Sequence, residues 1–163
     1  MITLAIAAVM LTTALPGLED LRDRRRLDAE VAQLATSVRH ARSLAVARGE
    51  PVRLTLRPGC YLVHTGPAPA CDCAAASSAA PCADAGRVLQ TVVYDPALGV
   101  QLQANVGSML FDGDRGTVTP AGTVRVQVAR DGASARAVHL VVNVMGRVRA
   151  CTPGGSAAGY PSC

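Results

Sequence analysis

The first fifty residues constrain the fold most strongly, because their apolar residues repeat with the period of a helix. Residues 1–15 carry no charged side chain, and Pro16 and Gly17 follow, a pair that breaks or kinks a helix. Beyond that pair, apolar residues recur at spacings of four and three, which places them in one stripe of an amphipathic helix: Leu27, Val31, Leu34, Val38, Ala41 and Ala45. The sequence therefore predicts one long, kinked helix over residues 1–50.

A change of period after residue 50 divides the chain into two parts. The predicted helix has an apolar section (1–17) and an amphipathic section (18–49). From residue 51 onward, apolar and polar residues alternate in short runs separated by Pro, Gly and Asp turns, which is typical of antiparallel strands. The predicted fold class is α+β, a long kinked N-terminal helix packed on an antiparallel β-sheet. The globular part (51–163) contains a cysteine-rich loop (66–86) and a Gly/Ser/Ala/Pro-rich tail (152–163).

Composition limits the partners that the chain can bind. Only three Tyr and one Phe occur among its 163 residues, which argues against modules that stack single-stranded bases on aromatic side chains. All 16 positively charged side chains are Arg. Residues 115–163 hold six of them against one acid, Asp131, and such a basic segment predicts a surface that faces a polyanion.

Several short segments share features with one known family. In chain order they are the kink at Pro16, Ala41-Arg42-Ser43, Arg48, Pro51-Val52-Arg53-Leu54, Gly116-Thr117-Val118-Thr119-Pro120-Ala121-Gly122, Gly146-Arg147-Val148-Arg149, and Cys151 with the closing Tyr160-Pro161-Ser162-Cys163. Together they resemble the minor pilins and pseudopilins, and among them the GspH/FimT group. The likeness covers nearly the whole chain. It implies a type IV pilin-like fold and a structural and binding subunit, not an enzyme, that needs no cofactor and no metal.

The N-terminus departs from the pattern of this family. Family members begin with a short basic leader, a cleavage glycine, a methylated Phe and a nearby glutamate, none of which is found around Met1. We expect that the start codon is assigned too far downstream; the alternative is a shortened gene whose product is not processed. With upstream residues restored, the apolar section would reach the length of a membrane-spanning helix.

The resemblance also implies a location and partners. The chain would be a single-pass protein of the bacterial inner membrane with its globular part in the periplasm, and would then enter a filament. There, the N-terminal helix would contact other minor pilins or pseudopilins. Two systems fit: a type IV pilus that takes up DNA, and a type II protein secretion system in which a GspH-like pseudopilin acts near the filament tip.

The segment Gly146-Arg147-Val148-Arg149 is the candidate DNA-binding motif. In an extended segment, Arg147 and Arg149 point to the same face about 7 Å apart, and guanidinium groups pair bidentately with phosphates. Arg125, Arg130 and Arg136 lie in the same basic segment and would extend the patch. The resemblance implies that FimT-like minor pilins bind double-stranded DNA through this motif during uptake. The alternative is a solvated edge strand whose arginines only keep it soluble.

Six cysteines have two interpretations. Export to an oxidising periplasm predicts disulfides, and we expect Cys151 and Cys163 to pair beside the arginine motif. The remaining four, Cys60, Cys71, Cys73 and Cys82, are expected to pair among themselves in an order that the sequence does not choose. A zinc site formed by Cys71, Cys73 and Cys82 with His64, and a periplasmic enzyme with a cysteine nucleophile, are the alternatives.

Overall fold

A single helix, α1 (Ile2–Arg48), accounts for the first part of the chain. The computed structural model describes residues 2–73, 82, 86–128, 136–155, 157 and 159–163, and side chains from residue 18 onward except those of Pro69 and Gly155. The helix runs through Pro16 and Gly17, so these residues do not break it; a kink there stays a prediction. No helix in the described part of the chain is long and apolar enough to cross a membrane.

The predicted stripe is the buried face of α1. Each of its six residues, Leu27 through Ala45, is at most 3% exposed. Removing a Val or Leu side chain from water contributes about 1.5–3 kcal/mol, so this face provides the main attachment of the amphipathic half of α1 to the strands. The opposite face carries exposed charged residues such as Arg25 and Arg39.

The strands form two antiparallel sheets, where the sequence had suggested one. Their bounds are β1 (Val52–Arg57), β2 (Cys60–Thr65), β3 (Val88–Val93), β4 (Val100–Ala104), β5 (Ser108–Phe111), β6 (Val118–Thr119), β7 (Gly122–Val128), β8 (Arg136–Val142) and β9 (Val148–Cys151). The five-stranded sheet has the order β3-β2-β1-β5-β6, and the four-stranded sheet has the order β4-β7-β8-β9.

The chain first passes from one sheet to the other between β3 and β4. A short 3₁₀ turn at Pro96–Leu98, capped by Asp95 whose Oδ1 accepts from the Ala97 amide at 2.9 Å, redirects the chain away from β3. Strand β4 then pairs with β7 over five residues. The alternation of apolar residues indicates the buried faces of strands such as β4 and β7, but it does not indicate which strand pairs with which.

Both sheets pack against α1, so one core joins them. Apolar side chains from β1, β5, β7 and β8 meet the helix stripe, and most are Val and Leu. Two polar pairs are buried in the fold: the hydroxyls of Ser37 and Tyr61 lie 3.0 Å apart, and Thr55 Oγ1 lies 2.9 Å from His64 Nε2. Through this shared core, both sheets are packed against the helix.

Candidate nucleic-acid interface at the β8–β9 hairpin

A tight turn joins β8 to β9 and presents the arginine motif. Asn143 organises it, because its Oδ1 accepts hydrogen bonds from the amides of Met145 at 3.1 Å and Arg147 at 2.9 Å. The Gly146 amide donates to the Asn143 carbonyl at 2.8 Å, and Gly146 has φ +69°. That left-handed conformation favours glycine, which explains the first residue of the Gly-Arg-Val-Arg segment.

Both arginines of the motif are exposed. Arg149 lies in β9 opposite Val141 of β8, and Arg147 comes directly before the strand. Val148 and Ala150, between and after them, are half-buried against the core. No ion pair or side-chain hydrogen bond of either guanidinium is found within the described residues. The strand thus offers two unpaired positive charges to solvent.

The tail after β9 holds this edge in place. Cys151 is bonded to Cys163, the pair expected from the sequence, and the Thr152 amide donates to the Pro161 carbonyl at 2.8 Å. Tyr160 packs against the core, and burial together with a hydrogen bond to Asp28 raises its pKa to about 12. The tail is therefore fastened both to β9 and to α1.

Two other segments of the chain meet the hairpin at Arg42 of α1. Arg42 Nε donates to the Gly116 carbonyl at 2.9 Å, and the Val118 amide donates to the Val144 carbonyl at 2.8 Å. A Cβ atom built on Gly146 would lie only 2.7 Å from Arg42 Cδ. Three segments that carried the family resemblance, around Arg42, Gly116 and Gly146, are therefore one contact region. Sequence reasoning did not place Arg42 in the site.

Of Arg130 and Arg136, both assigned to the extended patch, only Arg136 lies within the described residues, and it lies away from the hairpin turn. Arg136 begins β8, about 20 Å along the strand from the hairpin turn. Its guanidinium forms an ion pair with the Asp20 carboxylate and donates to the Asp20 carbonyl at 3.2 Å. Arg136 is therefore engaged with α1, and we do not include it in the proposed DNA-binding site. Arg130 lies outside the described residues.

The zinc and thiol alternatives are wrong. Cys60 is bonded to Cys73 and Cys71 to Cys82, so no cysteine of the chain is free. His64 is buried and accepts from the Thr55 hydroxyl through Nε2, while its Nδ1 donates to the Thr65 carbonyl at 3.0 Å. Burial lowers the pKa of His64. Within the residues that the structure describes, no group of His, Cys, Asp and Glu is arranged to hold a metal ion.

The hairpin tip also exposes two apolar side chains. Val144 is 58% and Met145 53% exposed, directly beside Arg147. The combination of Asn143 at the start of the turn with Gly146 three residues later is a turn signal that could have located the tip.

A long N-terminal helix whose buried face packs on antiparallel sheets defines a subunit of the type IV pilin class. Within that class, the sequence model of the family described as "Type II transport protein GspH" matches residues 30–146. The chain belongs to this GspH family of minor pilins and pseudopilins. The match ends at Gly146, so Arg147 and Arg149 lie just beyond it.

Solved structures confirm the fold. The chain is similar to the type IV minor pilin FimU of Pseudomonas aeruginosa in two crystal forms. The first has 18% identity and a TM-score of 0.54, covering 79% of this chain and 90% of that one. The second has 14% identity and a TM-score of 0.53, covering 78% and 97%. No curated protein sequence matches the chain. The family is one of structural subunits that are anchored in a membrane and then enter a filament.

Proposed function

We propose that this chain is a minor pilin of a type IV pilus that holds double-stranded DNA without sequence preference through Arg147 and Arg149. The observation that carries the proposal is the pair of exposed guanidinium groups at the start of β9, Arg147 just before the strand and Arg149 within it, which lack an ionic partner within the described residues. Because the turn and the disulfide fix the strand at both ends, little backbone order has to be gained on binding.

The spacing of the two arginines suits a phosphate backbone. Residues two apart on a strand are separated by about 7 Å, close to the step between neighbouring phosphates on one DNA strand. Each planar guanidinium can donate two parallel hydrogen bonds to one phosphate. Contacts of this type position a protein on DNA and carry no sequence information.

The aromatic residues support binding to backbone and not to bases. Three of the four aromatic side chains are buried in the core: Tyr61, Tyr94 and Phe111. The fourth, Tyr160, is partly buried against the core and is hydrogen-bonded to Asp28. None of them presents a fully exposed ring for stacking on a splayed base, which is how single-stranded modules gain affinity. The expected binding is therefore weak, sensitive to salt and independent of sequence.

The other parts of the proposal follow the pilin class. The apolar section of α1 would anchor the chain in the bacterial inner membrane, with the globular part in the periplasm, and would contact other minor pilins after assembly. We expect a structural and binding role without catalysis.

The test uses the full-length chain in a neutral detergent and a short fluorescent duplex of mixed sequence. The double variant Arg147→Gln with Arg149→Gln should weaken binding at low salt by more than about tenfold, since two charge-assisted contacts are lost. Arg39→Gln with Arg87→Gln removes the same charge from exposed positions elsewhere and should change the dissociation constant less than about twofold.

Circular dichroism checks that both double variants keep the thermal unfolding midpoint of the parent. If the two double variants lose binding equally, binding depends only on the general charge of the chain, and the assignment of DNA binding to Arg147 and Arg149 is wrong. Retention of binding by the Arg147/Arg149 variant would remove it as well.

A second candidate is a GspH-like pseudopilin of a type II secretion system. The family description supports it, and so does the exposed apolar tip of Val144 and Met145 beside the motif, a surface suited to a protein partner. Genes for secretion-pathway components beside this one would favour this candidate, whereas genes for pilus minor pilins would favour the first.

A further inference from the structure

We infer that Arg42 of α1 is a third phosphate-binding residue of the interface, a conclusion that rests on the proposed DNA-binding function. Its side chain lies between two glycines from distant parts of the chain, Gly116 and Gly146. A Cβ atom on Gly116 would be 3.2 Å from Arg42 Nε, and one on Gly146 would be 3.0 Å from the same atom. The side chain thus occupies a slot that two missing side chains leave open.

The hydrogen bonds of Arg42 leave donors available. Nε is used, because it donates to the Gly116 carbonyl at 2.9 Å. The four N–H groups on the two terminal nitrogens have no hydrogen-bond partner within the described residues. A guanidinium fixed through Nε presents its outer edge in a defined orientation, which is the edge that binds a phosphate bidentately.

No acid neutralises this charge among the described residues. The positions three and four residues away on the helix are Val38, Arg39, Ala45 and Val46, so no ion pair along α1 is available. The nearest acidic turn precedes Gly116, and there Asp112 Oδ1 already accepts from the amides of Asp114 and Arg115. Arg42 is therefore a fixed, half-buried and unneutralised cation.

Its position extends the motif across the turn. Gly146, against which Arg42 packs, is the residue directly before Arg147, so the helix arginine stands next to the start of the motif. Arg42, Arg147 and Arg149 then place three cations around this end of the β8–β9 hairpin, with Arg42 on the helix side of the strand. They replace the extension toward Arg136, whose charge is already paired with Asp20.

The experiment measures duplex binding of the full-length chain in neutral detergent as a function of salt. Each phosphate contact contributes about 0.9 to the negative slope of log K against log salt. Arg42→Gln should therefore reduce the slope by about 1 and weaken binding several-fold at low salt. Arg42→Lys keeps the charge and should restore the slope. Arg39→Gln, one helical turn earlier on the exposed face, is the matched control and should leave the slope unchanged.

The outcomes separate this inference from the function on which it rests. If the parent chain does not bind duplex DNA, the proposed function fails. If binding depends on Arg147 and Arg149 but Arg42→Gln keeps the parent slope, Arg42 only holds the turn and the inference fails alone. Weaker binding of Arg42→Gln at an unchanged slope likewise indicates a purely structural role and overturns the inference. A changed slope in Arg42→Gln that Arg42→Lys restores supports it.

Discussion

Strand β8 has an arginine region at each end, and the two regions differ in what their charges contact. At its start, Arg136 is tied to the Asp20 carboxylate of α1, and its side chain is only 24% exposed. At its other end, the hairpin turn leads to Arg147 and Arg149, which face solvent without an ion pair in the described structure. The same residue type therefore stabilises the fold at one end and is free to bind a ligand at the other.

The cause of the difference is the helix that passes both ends. Near Arg136, α1 carries Asp20, which forms the ion pair with Arg136. The Oδ2 atom of Asp20 also lies 3.8 Å from Arg24 Nε. Near the hairpin, α1 carries Arg42, a further cation, so no neutralising partner is supplied there. The basic segment 115–163 therefore contains two separate features. One is the ion pair of Arg136 with Asp20, and the other is the exposed pair Arg147 and Arg149, which is the candidate interface.

The largest expected effect comes from the disulfide beside the hairpin. Cys151→Ser with Cys163→Ser opens a loop of sequence separation 12 and should lower the free energy of unfolding by about 3 kcal/mol. It should also weaken DNA binding, because the edge of β9 loses its attachment. Cys71→Ser with Cys82→Ser opens a loop of separation 11 in the connection between β2 and β3 and is the matched control.

The control should lose similar stability but keep the parent dissociation constant for duplex DNA. Urea unfolding and fluorescence anisotropy measure the two quantities. Equal effects of both pairs on binding would show that the hairpin depends on overall stability and not on its own disulfide.

A smaller effect is expected inside the five-stranded sheet, away from both ends of β8. His64→Leu leaves the Thr55 hydroxyl and the Thr65 carbonyl without their buried partner, which should cost about 1–3 kcal/mol. DNA binding should not change, since His64 is fully buried. Loss of binding in this variant would mean that the two sheets are not independent in function.

The same histidine predicts the direction of a pH dependence. Burial lowers its pKa from 6.5 in the folded chain, so the unfolded chain takes up a proton first. The stability that His64 contributes is therefore complete above about pH 6.5 and is lost as the pH falls toward the lowered pKa of the folded state. Urea unfolding across this range should show a decline that His64→Leu reduces and that His40→Gln, at an exposed position, retains.

The smallest effect is expected at the start of β8. Arg136→Gln removes a partly exposed ion pair and should cost no more than about 1 kcal/mol of stability. Its effect on the dissociation constant for DNA should stay below about twofold. A loss of binding comparable to that of the Arg147/Arg149 variant would erase the distinction between the two ends of the strand.

Much of the fold could be predicted because it depends on local periodicity. The buried stripe from Leu27 to Ala45 and the bounds of β2 at Cys60 and Thr65 follow from spacing and turn residues alone. The division into two sheets could not be predicted, because strand pairing is decided by contacts between distant segments.

The candidate site was predictable only in part, for the same reason. The spacing of Arg147 and Arg149 can be read directly from the segment Gly146-Arg147-Val148-Arg149. The pairing of Arg136 with Asp20 joins positions 116 residues apart, and the contact of Arg42 with Gly116 joins positions 74 apart. Neither contact leaves a local signal in one sequence.

The most direct test of the central claim is the salt dependence of duplex binding between about 50 and 200 mM salt. With three phosphate contacts, the parent chain should show a slope of log K against log salt near −2.7. Arg147→Gln with Arg149→Gln should reduce its magnitude by about 2, and Arg136→Gln should leave it unchanged. An unchanged slope in the Arg147/Arg149 variant, or a reduced slope in Arg136→Gln, would contradict the assignment of DNA binding to the hairpin end of β8.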